Sequence, residues 1–425
     1  MYKRVTITLF AVLFAFSVAY AGEVEFWTWT SGESLRLENV TMDIFRNARP
    51  DIKLNYDTKA GVRNGEAVLL AIVSGTSPDL VTTHQEWHFD FADQGAFMDL
   101  RPYIERDNFD LSIFPKELMR FYTGPNGEIT GFPWQFTTMV MAYNKARFDD
   151  CGVQYPTANW TLDDMAAAAR KVTVRDSMGN VEKWGLHWGV LWEFINLLWG
   201  VSFMSEDGLR CNLNHPEVIA GFKWMADLNL SAKVVHTDII GGSATFPDWV
   251  NGKVAMTLNW PHYITAWGAQ LIDEWDVEEL PYGPKGYKVG RGATAGWAIP
   301  KGAKNPDEAW EVLKFLASRE AQLSLLTTGR GGASLRALAE HWSRSNVDAF
   351  QFKAPGSLMN TGAIINSFNY TVIDNYPIGY AQMRSMFSRN VRRIINGEAP
   401  AEAVLNEVAQ QIEVMVAEAM AAKAN

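Results

Sequence analysis

The first part of the chain alternates between short strand-like segments and amphipathic helices. Residues 23–29 (EVEFWTW) alternate charged and apolar side chains and predict a strand, residues 33–48 predict a helix, and residues 52–56 predict a second strand. A helix over 63–74 and a turn into a short strand at 77–81 continue the alternation. Because strands separated by helices usually pair in parallel, this β-α-β-α-β order predicts a largely parallel sheet with helices on both faces.

Ligands of such sheets bind beyond the carboxyl ends of the strands. The first and third predicted strands end in hydroxyl, imidazole, carboxyl and indole groups, which suit a polar ligand with an apolar face. The candidate ligand-binding residues at these two strand ends are Trp29, Thr30, Ser31, Thr83, His84, Glu86 and Trp87.

Residues 131–148 (GFPWQFTTMVMAYNKARF) connect this α/β unit to a second one. A Phe-Pro-Trp turn leads into the apolar run 139–143, which has the length of a buried strand. A second stretch rich in Pro and Gly lies at 279–290. Two such crossings predict two lobes, with Trp134 and Gln135 facing the gap between them.

The second unit supplies further candidates at strand ends and in its aromatic segment 184–199. A strand is predicted at 254–258 and another at 294–300, and Thr161 with Asp164 predicts a capped helix start. The candidate ligand-binding residues from this part are Trp192, Glu193, Asn196, Asn259, Trp260, His262, Tyr263, Gly296 and Trp297.

The chain contains 17 Trp residues, which is an unusual number, and an excess of indoles beyond what a core needs can signal surfaces that stack on ligands. For any single Trp, packing in the core is at least as common as ligand contact. We therefore rank the indoles at strand ends and crossings above Trp192, and leave Trp184, Trp188 and Trp199 open. The preferred stacking candidates are Trp87, Trp134, Trp260 and Trp297.

Residues 1–21 have the features of a secretory signal peptide. A basic start with Lys3 and Arg4 precedes an apolar run over 5–18, and Ala-Tyr-Ala at 19–21 suits a signal peptidase. The run is short for a membrane span. We therefore expect cleavage near Ala21 and Gly22 and a soluble protein in the periplasm or outside the cell.

Charge and cysteine content narrow the possible functions. A net charge of -10 without a cluster of Lys and Arg argues against binding to nucleic acid. Cys151 and Cys211 are the two cysteines of a chain predicted to enter an oxidising compartment, so a disulfide and two buried thiols both remain open.

Several motifs occur in an order that is typical of one family. They are SGTSPDLVTTHQEW at 74–87, YNKARFDDCGV at 143–153, NWTLDDM at 159–165, NGKVAMTLNWP at 251–261, AGWAIPKGAKNPDEAWEVLKFLAS at 295–318 and TTGRGGASLRAL at 327–338. In this order the chain resembles the extracellular solute-binding proteins of family 1, which are the sugar-binding components of ABC importers and are maltose-binding-protein-like. One departure is the segment 332–334, where family members often carry a Pro.

The resemblance implies an α/β, two-lobed periplasmic binding protein fold of type II, with a ligand cleft between discontinuous lobes joined by a hinge. Residues 22–130 plus 284–320 would form the N-terminal lobe, and residues 131–283 plus 321–425 the C-terminal lobe. It also implies a monomer that closes on a sugar or oligosaccharide and delivers it to permease subunits, without a cofactor. Glu86 matches the acidic residue that contacts sugar hydroxyls in relatives.

Two alternatives stay open on the residues alone. The same fold would bind a phosphorylated polyol or another anion if Arg291, Arg330 or Arg336 lay in the cleft, and Arg330 is also a candidate ligand-binding residue. A secreted glycosidase would share a Trp-rich cleft with acidic groups, but the chain lacks a G-x-S-x-G elbow, and its paired carboxylates are sequence neighbours. We therefore expect a binding protein and not an enzyme.

A metal site is the least favoured interpretation. His84 and His88 are four residues apart, but no Glu stands where the H-E-x-x-H pattern requires it. We expect His84 in the cleft and His88 on the following helical turn, with no metal.

Overall fold

The computed structural model describes residues 22–124, 126–189, 191–236, 246–260, 273–286, 288–326, 332–335, 338, 360–372 and 379–424. The predicted signal peptide at 1–21 lies outside the described residues, as do His262, Tyr263, Arg330 and Arg336. None of the helices in the described ranges combines the length and the apolar character needed to cross a bilayer.

The strands are short, and many are buried. They are β1 (Gly22–Thr28), β2 (Ile52–Thr58), β3 (Leu80–His84), β4 (Phe132–Thr137), β5 (Val140–Asn144), β6 (Val174–Arg175), β7 (Val181–Lys183), β8 (Met256–Asn259), β9 (Trp275–Glu278), β10 (Gly290–Arg291), β11 (Ala293–Ala298), β12 (Gly332–Ala333) and β13 (Thr371–Val372).

Helices flank the strands and form most of the last part of the chain. They are α1 (Gly32–Ala48), α2 (Glu66–Val73), α3 (Gln85–Asp93), α4 (Arg101–Asp107), α5 (Lys116–Met119), α6 (Lys145–Asp150), α7 (Leu162–Val172), α8 (Ile195–Leu198), α9 (Pro216–Leu230), α10 (Phe246–Val250), α11 (Pro306–Leu316), α12 (Arg319–Leu326), α13 (Thr361–Ser367), α14 (Tyr380–Ile395) and α15 (Ala401–Ala424). Short 3-10 turns lie at Leu111–Ile113, Arg120–Tyr122, Leu191–Glu193, Asn212–Asn214 and Phe368–Tyr370.

The first lobe is built on a six-stranded sheet with the order β12-β4-β11-β3-β1-β2. Strand β1 pairs in parallel with β2 and β3, which confirms the β-α-β-α-β prediction for this part. Strands β11, β4 and β12 join the sheet in antiparallel orientation, so the sheet is mixed. Phe26, Phe132 and Trp310 lie in its hydrophobic core.

The second lobe is built around a three-stranded antiparallel sheet with β5 between β8 and β9. All residues of β5 are buried, as the apolar run in this part of the sequence predicts. A large core that includes Trp188, Leu258 and Phe387 packs this sheet against the surrounding helices. Helix α7 begins with the predicted capping box, in which the Thr161 hydroxyl and the Asp164 carboxylate accept hydrogen bonds from each other's backbone N–H groups.

The chain changes sheet a few residues after each predicted lobe boundary. Strand β4 pairs in the first sheet and β5 in the second, so the first crossing lies at 138–139 rather than before 131. The second lies at Gly292, between β10 and β11, rather than at 283–284. Helix α12 and strand β12 still pack with the first lobe, beyond the predicted boundary at 320–321. The division of the chain into two moving bodies stays a prediction.

The two cysteines are free thiols and are not bonded to each other. Cys211 is buried in the core of the second lobe, and burial raises the pKa of its thiol to about 12. Cys151 lies at the end of α6, where its sulfur is 3.8 Å from Arg147 Nη2. The structure therefore favours two thiols over a disulfide, although only Cys211 is buried and Cys151 is half-buried.

Gly296, a predicted ligand-binding residue, serves close packing within the first lobe. A Cβ at this position would lie 2.4 Å from Tyr122 Cε1 and 2.5 Å from the Phe132 carbonyl oxygen. We expect Gly296→Ala to lower the free energy of unfolding by about 1–3 kcal/mol, because the added methyl overpacks a buried strand. Chemical denaturation of the two proteins measures this difference.

Gly362→Ala, on helix α13, is the matched control. A Cβ at this position would lie 3.4 Å from its nearest neighbour, Asn360 Oδ1, which is an ordinary contact distance. Alanine favours a helix over glycine by about 1 kcal/mol, so this variant should be as stable as the wild type or more so. Equal losses of stability in the two variants would contradict the packing argument.

Candidate functional site

Glu86 stands at the point where the first lobe faces the second. Strand β3 ends at His84, whose Nδ1 accepts a hydrogen bond from the Glu86 backbone N–H at 3.3 Å and so caps helix α3. The side chains of both residues are 12% exposed. Arg63, in the loop before α2, donates to the Glu86 carboxylate at 3.3 Å. The strand end therefore holds a largely buried carboxylate at the edge of the sheet, as the sequence predicts.

Glu193 is the corresponding carboxylate of the second lobe. It ends the 3-10 turn Leu191–Glu193, and its side chain is 1% exposed. Arg291 of β10 and Arg384 of α14 each donate a hydrogen bond to it. A carboxylate buried this deeply needs such partners, because transfer of an unpaired charge from water into the protein is costly.

The same two guanidinium groups also face Glu86 across the gap between the lobes. Arg384 Nε lies 3.5 Å and Arg291 Nη2 lies 3.9 Å from Glu86 Oε1. Glu86, Arg384, Glu193 and Arg291 thus alternate in charge around a closed circuit, which we call the ion ring. Three of its members belong to the second lobe or to the crossing strand β10, and only Glu86 belongs to the first.

The charges around the ion ring keep Glu86 ionised. Burial by itself raises the pKa of the Glu86 carboxyl, but His84, Arg384, Arg63 and Arg291 together outweigh it and hold the pKa below its usual range. Burial, followed by the charge of Arg63, places the pKa of His84 well below its ordinary value, so this imidazole is neutral at pH 7. The positive charges that remain at Glu86 at pH 7 are therefore those of Arg384, Arg63 and Arg291.

Each of these guanidinium groups lies against an indole ring. Arg63 is 5.7 Å from the ring centre of Trp29, Arg384 is 5.6 Å from that of Trp192, and Arg291 is 5.9 Å from that of Trp260. Cation–π contacts of this kind hold an arginine in place while its other N–H groups remain able to donate. Trp29 is half-buried and directly follows β1.

Some buried donors near the ion ring have no hydrogen-bond partner within the described part of the chain. They are Gln85 Nε2, Arg384 Nε and Trp192 Nε1. Gln85 is anchored by its other end, where Oε1 accepts from the Thr294 backbone N–H at 2.7 Å. Buried donors are costly when they are left unpaired, so they favour a ligand that brings acceptor oxygens.

The structure brings six of the predicted site residues to the cleft around the ion ring. Trp134 lies at its edge, where its ring is 6.4 Å from that of Trp29 and also stacks on Trp297. The six residues are Trp29, His84, Glu86, Trp192, Glu193 and Trp260. Trp192 and Trp260 are buried, at 2% and 7% exposure, so their rings support Arg384 and Arg291 and offer no open face to a solute.

Trp87 and Trp297, two of the preferred stacking candidates, lie in the core of the first lobe. Each is 2% exposed. Trp87 packs on Phe91 and Phe97, and its Nε1 donates to the Arg63 carbonyl oxygen at 3.0 Å. An indole in this position cannot offer its face to a solute. Its contribution to the cleft is indirect, because it fixes the backbone that carries Arg63.

Several predicted polar residues are bonded within the protein and support the strand ends. Thr30 donates to Glu38 at 3.2 Å, and Asn196 Nδ2 donates to the Val201 carbonyl oxygen at 2.8 Å. Asn259 Oδ1 accepts from the Trp260 backbone N–H at 2.9 Å. These side chains hold the backbone near the cleft.

Ser31 and Gln135 lie where a solute could still reach them. Ser31 is exposed at the start of α1, and its side chain does not cap that helix. Gln135 is half-buried on β4, and its backbone carbonyl oxygen accepts a hydrogen bond from the Thr294 hydroxyl at 2.8 Å.

His88 occupies the following helical turn, as expected, but its surroundings are those of a core residue. It is fully buried, with its two ring nitrogens 3.0 Å from the hydroxyls of Thr83 and Thr130. Burial lowers the pKa of His88 to about 3. Within the described residues, no group of three or more His, Cys, Asp or Glu side chains is arranged to hold a metal ion.

Sequence reasoning missed Arg63 and Arg384, and considered Arg291 only for an anionic solute. Arg63 follows β2 and could have been found by extending the strand-end rule to that strand. Arg384 has no such signal, because it lies within helix α14 and is 191 residues away from Glu193 in the sequence. Only the packing of α14 in the core of the second lobe places it at the cleft.

Comparisons with known proteins agree with this arrangement of lobes and cleft. Over 323 residues the chain is 23% identical to the maltotriose-binding protein of Pyrococcus abyssi, a match that covers 73% of this chain and 66% of that protein. The ABC substrate-binding protein of Listeria monocytogenes in complex with cycloalternan has a TM-score of 0.81 at 22% identity, covering 93% of this chain and 98% of that one. A binding protein of Mycobacterium tuberculosis in complex with glycerophosphocholine has a TM-score of 0.79 at 15% identity, covering 94% and 100%.

The two structural matches show a shared fold and confirm the predicted two-lobed α/β architecture. The sequence profile for the bacterial extracellular solute-binding protein family matches residues 36–323, which is more than half of the chain. On this evidence, the chain belongs to the family of bacterial extracellular solute-binding proteins.

Proposed function

We propose that this protein is the substrate-binding component of an ABC importer, and that it captures a sugar or oligosaccharide by closing its two lobes around the ion ring. The observation that carries the proposal is the position of the ring, which joins a carboxylate of the first lobe to a carboxylate and two guanidinium groups of the second lobe and the crossing strand. A solute bound there contacts both lobes at once, so its binding energy favours the closed arrangement.

The chemistry of the ring suits a polyhydroxylated solute. A carboxylate accepts hydrogen bonds from two neighbouring hydroxyls, and a guanidinium donates to their oxygens in a fixed fork. The distances of 3.5 and 3.9 Å between Glu86 and the two guanidinium groups exceed those of direct hydrogen bonds, so a hydroxyl can compete for both sides. The half-buried indole of Trp29 is the surface on which we propose that the apolar face of a sugar ring stacks.

The names of similar proteins support the same solute class. The relative from Pyrococcus abyssi is a maltotriose-binding protein, and the Listeria monocytogenes structure contains cycloalternan. We propose by analogy a role outside the cytoplasm, a monomeric state and delivery of the solute to permease subunits.

The charge state of Glu86 argues against a glycosidase that uses this residue as its acid. Such an enzyme needs one carboxyl group with a raised pKa to protonate the leaving group. Glu86 has a lowered pKa, and both oxygens of Glu193 accept from arginines. We therefore propose a binding protein without catalytic activity.

Glu86→Gln tests the role of the carboxylate in capture. We expect its affinity for maltotriose, measured by titration calorimetry, to fall about 10- to 100-fold, because hydrogen bonds to a charged acceptor are lost. Glu66→Gln, at an exposed position on α2 of the same lobe, is the matched control and should bind as the wild type does. Release of reducing sugar by the wild-type protein would instead support the enzyme.

Trp29→Ala tests the stacking surface. We expect a loss of about threefold to tenfold in affinity for maltotriose, which corresponds to the usual contribution of an aromatic contact. Trp27→Ala is a close control, because Trp27 is also half-buried on β1 but lines a separate surface pocket with Lys59 and Leu70. If both variants lost affinity equally, a general weakening of β1 would explain the result and the stacking role would be rejected.

An anionic solute is the second candidate, because the guanidinium groups outnumber the carboxylates. Arg63, Arg291 and Arg384 carry three positive charges against the two negative charges of Glu86 and Glu193. The N–H groups of these guanidiniums suit the oxygens of a phosphate or carboxylate group of a solute.

Titrations with maltotriose and with glycerol 3-phosphate at increasing salt concentration separate the two candidates. For a neutral sugar, we expect the dissociation constant to change little between low and high salt. Affinity for an anion would decrease, because salt screens its attraction to the guanidinium groups. Tight, salt-sensitive binding of glycerol 3-phosphate together with no binding of maltotriose would overturn the sugar proposal.

A further inference from the structure

Helix α3 of the first lobe makes a second contact across the cleft, one turn away from the ion ring. Asp90 Oδ1 accepts a hydrogen bond from the Gly379 backbone N–H at 2.8 Å. Gly379 is the N-cap residue of α14, with a φ of 78°. A carboxylate of one lobe thus binds the first turn of a helix that belongs to the other.

The two helices are firmly attached to different lobes. On α3, Trp87 packs in a core of the first lobe and His88 bonds to Thr83 of β3. On α14, Met383 and Phe387 lie in the large core of the second lobe. A change in the angle between the lobes therefore has to separate Asp90 from Gly379.

The contact between Asp90 and Gly379 is electrostatically favourable, and it fits the four-residue spacing of Glu86 and Asp90 on α3. The N-terminal end of a 16-residue helix carries a partial positive charge that attracts a carboxylate. Glu86 and Asp90 are four residues apart on α3 and lie on the same face. Glu86 faces Arg384 and Asp90 binds Gly379, so this face of α3 contacts the beginning of α14 at two points.

We propose that Asp90 is a positioning residue that latches the two lobes in the closed arrangement. It acts through the N-terminus of α14, whereas the solute is bound at the ion ring one turn away. Its contribution is therefore the same for every solute. This inference rests on the proposed function only in taking lobe closure as the step that the latch favours.

Asp90→Asn tests the latch in ligand-free protein, since it keeps the shape of the side chain and removes its charge. We expect the ratio of closed to open molecules to fall about threefold to tenfold, the usual range for such a contact. Small-angle scattering should then show a larger radius of gyration, and hydrogen exchange should be faster at Gly379. Unchanged scattering and exchange would overturn the latch.

Asp110→Asn is the matched control, because Asp110 also accepts from a backbone N–H, that of Ser112 at 2.8 Å, but within the first lobe. It should leave both measurements unchanged, and an equal effect of the two variants would overturn the proposal. If Asp90→Asn does not fold, hydrogen exchange at the Gly379 amide of the wild type tests the latch instead. An unprotected amide would contradict the latch, and a protected amide would support it.

Maltotriose titration separates this inference from the proposed function. Where the wild type binds maltotriose and other oligosaccharides, Asp90→Asn should raise every dissociation constant by the same factor, because all solutes share the closed state. A change for one solute only would assign Asp90 a direct contact and overturn its positioning role. If no oligosaccharide binds the wild type, the proposed function is wrong. The scattering and hydrogen-exchange measurements on ligand-free protein still test the latch in that case.

Discussion

The buried carboxylate of Glu193 is the interaction on which the cleft depends. Its side chain is 1% exposed, and Arg291 and Arg384 each donate a hydrogen bond to it, which offsets the cost of burying the carboxylate. Arg291 comes from a strand at the crossing between the lobes, and Arg384 comes from a helix near the end of the chain. Glu193 thus draws together two distant segments and aims their guanidinium groups at the first lobe.

The ion ring is connected differently within and between the lobes. Glu193 is hydrogen-bonded directly to both arginines, whereas Glu86 approaches them at 3.5 and 3.9 Å. Within the first lobe, Arg63 donates a hydrogen bond to the Glu86 carboxylate, and the His84 imidazole lies next to that carboxylate at the start of helix α3. Each lobe therefore keeps its own charged groups in place, and the weaker contacts lie where the lobes separate and where a solute would enter.

The fold was largely predictable because its signals are local. The alternation around Phe26, the buried run of β5 and the capping box of Thr161 each depend on a few neighbouring residues, and all three occur as predicted. The strand-end rule selected Glu86 for the same reason, and its role in binding a solute stays a prediction. It did not separate cleft from core for Trp87, because a residue at a strand end can point either way.

The remainder of the site depends on contacts that no local pattern encodes. Arg384 reaches Glu193 only through the packing of α14, and the pairing of Asp90 with Gly379 joins residues 289 positions apart. The resemblance to known binding proteins indicated that a cleft would form between two lobes. It did not indicate which arginines would enter it or what would hold the lobes together.

A crystal structure of the protein grown with saturating maltotriose tests the central claim most directly. The account predicts density for the sugar between the lobes, with hydroxyl groups within hydrogen-bond distance of Glu86 and of Arg384. Density at another surface, or a cleft in which Glu86 and Arg384 contact no solute atom, would contradict it.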